Sequence, residues 1–147
     1  MNYEEISRDV VSSLYKSYDS LKSSPLDQNL RILIELRVSQ LNGCAYCCTL
    51  HTQEAEKSGI ELSKIKNLPQ WKESNLFSSA EKVALAWSES LTKLDKHHAT
   101  IKEELLLYFS EHEIVDMTLS ISIMNAFNRM KISLKNSKSC AMDFQPE

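Results

Sequence analysis

Two glycines and three prolines among 147 residues leave this chain almost without the residues that end elements and make tight turns. Average usage of the two together is about 12%. All-β, collagen-like and loop-rich architectures, which need such residues at every turn, are therefore nearly excluded. In their place stand 19 Leu, 14 Glu, 13 Lys and 8 Ala, all strong helix formers. A hydrophobic share of 42% is too high for a disordered chain. The expectation is an all-α protein, and the length fits one domain of about 100 to 150 residues, spanning 1–147.

The apolar spacing predicts six to seven helices. Ile6, Val10, Leu14 and Leu21 recur at helical intervals with Tyr18 between them, until Ser23-Ser24-Pro25 ends the run. Asp27 is placed to cap a second helix with Leu30, Leu33, Ile34, Val38 and Leu41 on its apolar face, ending at Asn42-Gly43. A third helix runs from about Cys44 to Lys57, a short one from Glu61 to Leu68, and Ser78 or Ser79 caps a fifth whose stripe is Ala84, Trp87, Leu91 and Leu94. Residues 96–100 read as a loop before a short helix from Ile101 to Phe109. The last helix starts near Ser110, and from Ile114 to Leu134 it is apolar on most faces, which predicts a helix buried mid-domain or in a subunit interface. A polar tail, 136–147, follows.

A net charge of −3 with only four Arg argues against nucleic acid as a partner, because phosphate binding needs a positive field. The longest apolar stretches are interrupted by polar residues, so no membrane span is expected. The start MNYEEISRDV lacks a basic region followed by an apolar one. The expectation is a cytoplasmic protein, in which cysteines are more often catalytic, redox-active or metal-binding than structural.

Three of the four cysteines lie within five residues, Cys44-Ala45-Tyr46-Cys47-Cys48, and His51 follows. At about 100° per residue on an α-helix, Cys44, Cys47 and His51 share one face. The Asn42-Gly43 turn places Cys44 at a helix start, where unpaired N–H groups favour a thiolate. His51 stands four residues beyond Cys47, the spacing at which helical side chains meet, and can accept its proton. A nucleophile, a base and a second thiol able to trap an oxidised sulfur as a disulfide are thus gathered on a turn and a half. Zinc would find only three ligands in Cys44, Cys47 and His51 and no second close pair, so no metal is expected. A c-type haem would need His at position 48, which is Cys. No cofactor is expected.

The run from Leu36 through Asn42-Gly43-Cys44-Ala45-Tyr46-Cys47 to His51-Thr52-Gln53-Glu54-Ala55 resembles the alkylhydroperoxidase D branch of the carboxymuconolactone decarboxylase family. Ser79 to Trp87, Leu91-Thr92, Glu113 to Asp116 and Asn125 to Arg129 are similar to later family blocks, so the resemblance spans roughly 25–135. It implies an all-helical fold assembling as trimers or hexamers, and thiol peroxidase chemistry on hydroperoxides. Cys47 would be the attacking thiol, Cys44 the resolving thiol and His51 part of the proton relay. An external dithiol, in that branch a lipoyl group on a partner protein, would reset the enzyme. The family's Glu, twelve residues before the first Cys, is replaced by Ile32, and Glu35 one turn later is the candidate for its place.

Cys48 is expected to pack as a small hydrophobe, Cys140 to be incidental, and His97, His98 and His112 to lie on the surface. Trp87 and Phe127 are expected in the core or an interface. Arg129 is expected to be buried against Glu89 or Asp116 as a structural tie. Two other functions remain open: a redox-sensing or scaffold oligomer switched by a Cys44–Cys47 disulfide, and, less favoured because that branch lacks the CxxC pair, a lactone decarboxylase.

Overall fold

The computed structural model describes residues 1–134, so the polar tail and Cys140 lie outside the described residues. Eight α-helices follow in order: α1 (Tyr3–Ile6), α2 (Arg8–Ser20), α3 (Gln28–Asn42), α4 (Ala45–Lys57), α5 (Leu62–Lys66), α6 (Ser79–Lys93), α7 (His98–Leu105) and α8 (Glu111–Leu134). Short 3-10 turns follow α2 and α5, and no strand occurs among the described residues. The all-α expectation holds, with eight helices rather than six to seven because the first predicted one is split in two.

Several helix ends are written in the local sequence. The Asp27 carboxylate accepts from the Leu30 N–H at 2.8 Å, capping α3. Ser78 and Glu81 form a reciprocal capping box at the start of α6 (2.8 and 3.2 Å), and Ser110 and Glu113 exchange the same bonds before α8. Removing one such cap costs about 1 kcal/mol.

Within the chain the helix buried on all faces is α3; α8, expected to be buried mid-domain or in a subunit interface, keeps an outward apolar face. Residues Leu30 to Leu36 are buried without a break, followed by Val38 and Ser39. One side of α3 (Leu30, Ile34, Val38) packs with Trp87 of α6 and with Met117, Ile121 and Phe127 of α8. The other (Ile32, Leu33, Leu36) packs with Cys48 and Ala55 of α4, and with Leu68, Trp71 and Leu85. Each such side chain contributes roughly 1.5–3 kcal/mol. In α8 the inward face includes Ser120, Asn125 and Asn128, while Val115, Leu119 and Ile132 face outward.

Three other expectations are corrected. The first predicted helix breaks at Ser7, and Ile6 and Val10 stand exposed while Tyr3 and Val11 are buried. Leu94 does not continue the α6 stripe: it ends the helix in the left-handed conformation (φ 53°) with its side chain exposed. The helix expected from Ile101 instead begins at His98, inside the predicted loop, and ends at Leu105.

Candidate active site

Helix α3 ends at Gly43, whose φ of 69° is the left-handed conformation that glycine adopts without strain. This turn delivers Cys44 to the N-cap of α4. Cys44 is therefore in extended backbone just outside the helix, not on its first turn, and its sulfur accepts from the Cys47 N–H at 3.3 Å. Cys44 and Cys47 are joined as a disulfide. Both are almost wholly buried, as is His51 one turn beyond Cys47.

Behind His51 lies a carboxylate network. Its Nδ1 is 3.0 Å from Glu54 Oε2 and 3.7 Å from Glu35 Oε2. Hydrogen bonding from His51 holds the Glu54 carboxyl below its ordinary range. An ionised carboxylate only accepts, so the proton of that bond sits on Nδ1, and the ring in its neutral form has its lone pair on Nε2. Glu35, fully buried, accepts from Arg31 (3.0 Å) and Ser120 (2.7 Å) on one oxygen and from Tyr18 (2.7 Å) on the other. Burial, then the charge of Glu35, raises the pKa of the Tyr18 hydroxyl, so it remains a donor. Burial is the largest influence on Arg31 and opposes its charge, but Glu35, Tyr18 and Glu54 together more than offset it and keep the guanidinium charged.

The structure thus brings Cys44, Cys47, His51 and Glu35 together. Ile32, at the position where the family carries Glu, is sealed in the apolar cluster under α4. The sequence reasoning did not single out Glu54, Arg31, Tyr18 or Ser120. The i,i+3 spacing of His51 and Glu54 and the i,i+4 spacing of Arg31 and Glu35 were signals for two of these contacts. Ligand atoms of Glu35, His51 and Glu54 lie within 4.8 Å of one another. A cation there would compete with the Tyr18 donor for Glu35 Oε2 and share that carboxylate with the Arg31 guanidinium, so the donor set fits a proton relay better.

The remaining candidates fall as follows. Cys48 packs in the core, and burial pushes its thiol up to about 11. Trp87 and Phe127 are core residues. Arg129 is exposed, contrary to expectation, and its neighbour Asn128 points inward. Glu89 instead holds Arg37 (2.7 Å) and Trp71 (2.8 Å); burial works against its charge, but these donors keep its pKa low. Asp116 accepts from Ser24 and pairs with exposed His112. His97 is exposed, whereas His98 is half-buried, 2.9 Å from Ser90 and edge-on to Trp87.

A cavity of about 550 Å³ opens over this network. Cys47 and His51 line it, and Cys44 does not. Tyr15, Tyr18, Leu50, Met124 and Phe127 contribute to its apolar wall.

A helical scaffold holding a disulfide-bonded CxxC pair beside a buried histidine defines an AhpD-like protein. The chain belongs to the carboxymuconolactone decarboxylase family, which it matches over residues 14–90. It is 32% identical over 142 residues to the uncharacterized protein YdfG of Bacillus subtilis, covering 92% of this chain and 94% of that one. To the uncharacterized protein YnjA of Escherichia coli it is 27% identical over 125 residues, covering 83% and 68%. Among solved structures, an Agrobacterium tumefaciens protein of unknown function, provisionally described as antioxidant defence protein AhpD, superposes with a TM-score of 0.85 at 28% identity, covering 100% of this chain and 98% of that one. An uncharacterized peroxidase-related protein from Silicibacter sp. TM1040 shares the fold (TM-score 0.73, 19% identity, covering 89% and 72%).

Proposed function

We propose that the protein is a thiol peroxidase that reduces hydroperoxides through Cys47, with Cys44 as resolving thiol. The observation that carries this reading is the placing of Cys47 and His51 together on the cavity, with His51 Nδ1 fixed on a carboxylate and Nε2 left to take a proton. In the reduced protein, His51 accepts the Cys47 proton. The thiolate attacks one peroxide oxygen, the O–O bond breaks, and the departing alkoxide takes a proton, giving an alcohol and the Cys47 sulfenic acid. The Cys44 thiol then displaces hydroxide from that sulfur, which leaves as water, and forms the disulfide. An external dithiol returns two electrons and two protons. We assign this reductant to the lipoyl class, on a partner protein, by analogy with the family branch.

The test is a sulfenic-acid probe applied to single mutants after peroxide. Cys44→Ser should label on Cys47 and hold the label, and Cys47→Ser should not label. Label on Cys44 in the Cys47→Ser protein, with none on Cys47 in the other, reverses the assignment. Disulfide cycling without peroxide turnover would leave the redox-switch reading in its place. We also propose a homo-oligomer, trimer or hexamer, because Val115, Leu119 and Ile132 face outward along α8. A sedimentation mass near the 16.8 kDa of one chain at micromolar concentration overturns that.

A further inference from the structure

We propose that the cavity over Cys47 is a binding site for an amphipathic carboxylate, so that the preferred hydroperoxide carries an anionic head close to its peroxide group and an apolar tail. This substrate class rests on the peroxidase reading, while the binding site itself does not.

Hydrogen peroxide needs little of what lines this cavity. The lining follows α4 from Tyr46 and Cys47 to Lys57 and Ser58, about 18 Å at 1.5 Å per residue. Across from it, Tyr15 and Tyr18 of α2 pack on Phe127 of α8 with ring centroids 4.8 and 5.7 Å apart. Leu50 projects into the same space, 47% exposed. A volume of 550 Å³ falls among small-molecule sites, which span roughly 300–1,000 Å³. Apolar walls of this extent gain most by covering themselves with hydrocarbon.

The charge in the lining selects the head group. Lys131 is built into the wall at the Cys47 end, only 9% exposed, with its Nζ 4.7 Å from the centre of the Tyr46 ring and 5.9 Å from that of Tyr3. Its carboxylate partner Glu4 is 3.5 Å away, longer than the roughly 2.8 Å of a charge-assisted hydrogen bond. The Glu4 side chain is 44% exposed and can turn to water. A nearly buried ammonium with so loose a partner favours an incoming anion. The acidic residues of the lining do not cancel it: Asp19 pairs with Lys22 at 2.7 Å, which leaves the Glu54 carboxylate alone against Lys57 and Lys131. Lys57 adds a second positive charge at the far end. A neutral apolar molecule would leave both charges unused.

The test separates binding from turnover. Calorimetric titration of the full chain with decanoate and with 1-decanol, both without a peroxide group, should show one decanoate per chain, bound at least tenfold more tightly than the alcohol. Lys131→Met should weaken decanoate at least tenfold. Leu50→Glu, at an exposed position the core does not need, should weaken it as well and serves if Lys131→Met fails to fold. With a dithiol present, kcat/KM for a hydroperoxide of a long-chain acid with its peroxide group close to the carboxylate should exceed that for its methyl ester at least tenfold, and the ratio should fall towards one in Lys131→Met. Equal binding of acid and alcohol, or decanoate affinity indifferent to both substitutions, overturns the site. Hydrogen peroxide turnover without decanoate binding overturns the site and leaves the peroxidase reading standing. Decanoate binding without turnover of any peroxide does the reverse.

Discussion

Replacing Glu35 by Leu should be among the most damaging single changes in this protein, and the size of the loss can be worked from its contacts. The carboxylate is fully buried and accepts from Arg31, Ser120 and Tyr18. Without it Arg31, 3% exposed, is left as a buried charge, and breaking such a pair costs about 3–5 kcal/mol. Two hydroxyls also lose their acceptor, at about 1 kcal/mol each. Glu54, whose charge Arg31 also feels, recovers part of this. The expected loss is on the order of 4 kcal/mol, or about 12 °C in Tm at the roughly 3 °C per kcal/mol of a chain this long. The double variant Arg31→Met/Glu35→Leu removes both charges and leaves only the hydroxyl losses, on the order of 2 kcal/mol. Urea unfolding of the two single variants and the double, at one protein concentration, closes the cycle. If Glu35→Leu costs less than about 1 kcal/mol, or if the single losses simply add, the buried-charge argument is refuted.

Two further outcomes follow from titration. The Glu54 carboxyl is depressed by its bond to His51, so the stability it contributes is present above the ordinary carboxylate range, near pH 4.3 or about that, and is lost as pH falls through its lower folded value. Glu54→Gln should cost about 1 kcal/mol at neutral pH, given the partial exposure of the side chain, and should flatten the acid limb of a plot of unfolding midpoint against pH; an unchanged acid limb would count against the pairing. Cys48, its thiol raised to about 11, contributes stability below the unfolded thiol value of about 8.5 that is lost as pH rises through 11. In the reduced protein at pH 8, iodoacetamide should alkylate Cys47 long before Cys48, as read by mass spectrometry; equal rates refute the burial argument.

The parts of this molecule that were legible in its sequence are those set by local chemistry. Asp27, Gly43, Ser78 and Ser110 mark helix ends through bonds reaching three residues or fewer, or through one backbone conformation. The grouping of Cys47 and His51 on a helix face is equally local. What escaped depends on which way a helix is turned in three dimensions. Asn128 and Arg129 differ by about 100° around α8, and nothing in their spacing says which faces inward. The same ambiguity hid the inward Ser120 that holds Glu35 from 85 residues away. Ile6 and Val10 have the right period for a core stripe, but the kink at Ser7 turns them to solvent. Glu35 was found through the resemblance and the helical turn; that Arg31 rather than His51 is its nearer charged partner emerged only when both were seen buried together.

A last consequence attaches to Asn42, the final residue of α3. Its side-chain amide donates to Asn125 (3.0 Å) and Asn128 (2.9 Å) of α8, Asn128 donates to Ser39 (3.2 Å), and Asn125 reaches Thr92 of α6 (3.1 Å). Unlike hydrocarbon contacts, which tolerate sliding, this row of amides works as a key in a keyway: a slip of α8 by one turn, about 5.4 Å, strands several buried donors and acceptors at once. Inheritance feels this as much as mechanics does, because none of these amides can be exchanged alone without stranding its neighbours. The turn that presents Cys44 is thereby anchored to a helix 80 residues further along the chain, and the sulfur's position is a property of that distant register as well as of the motif around it.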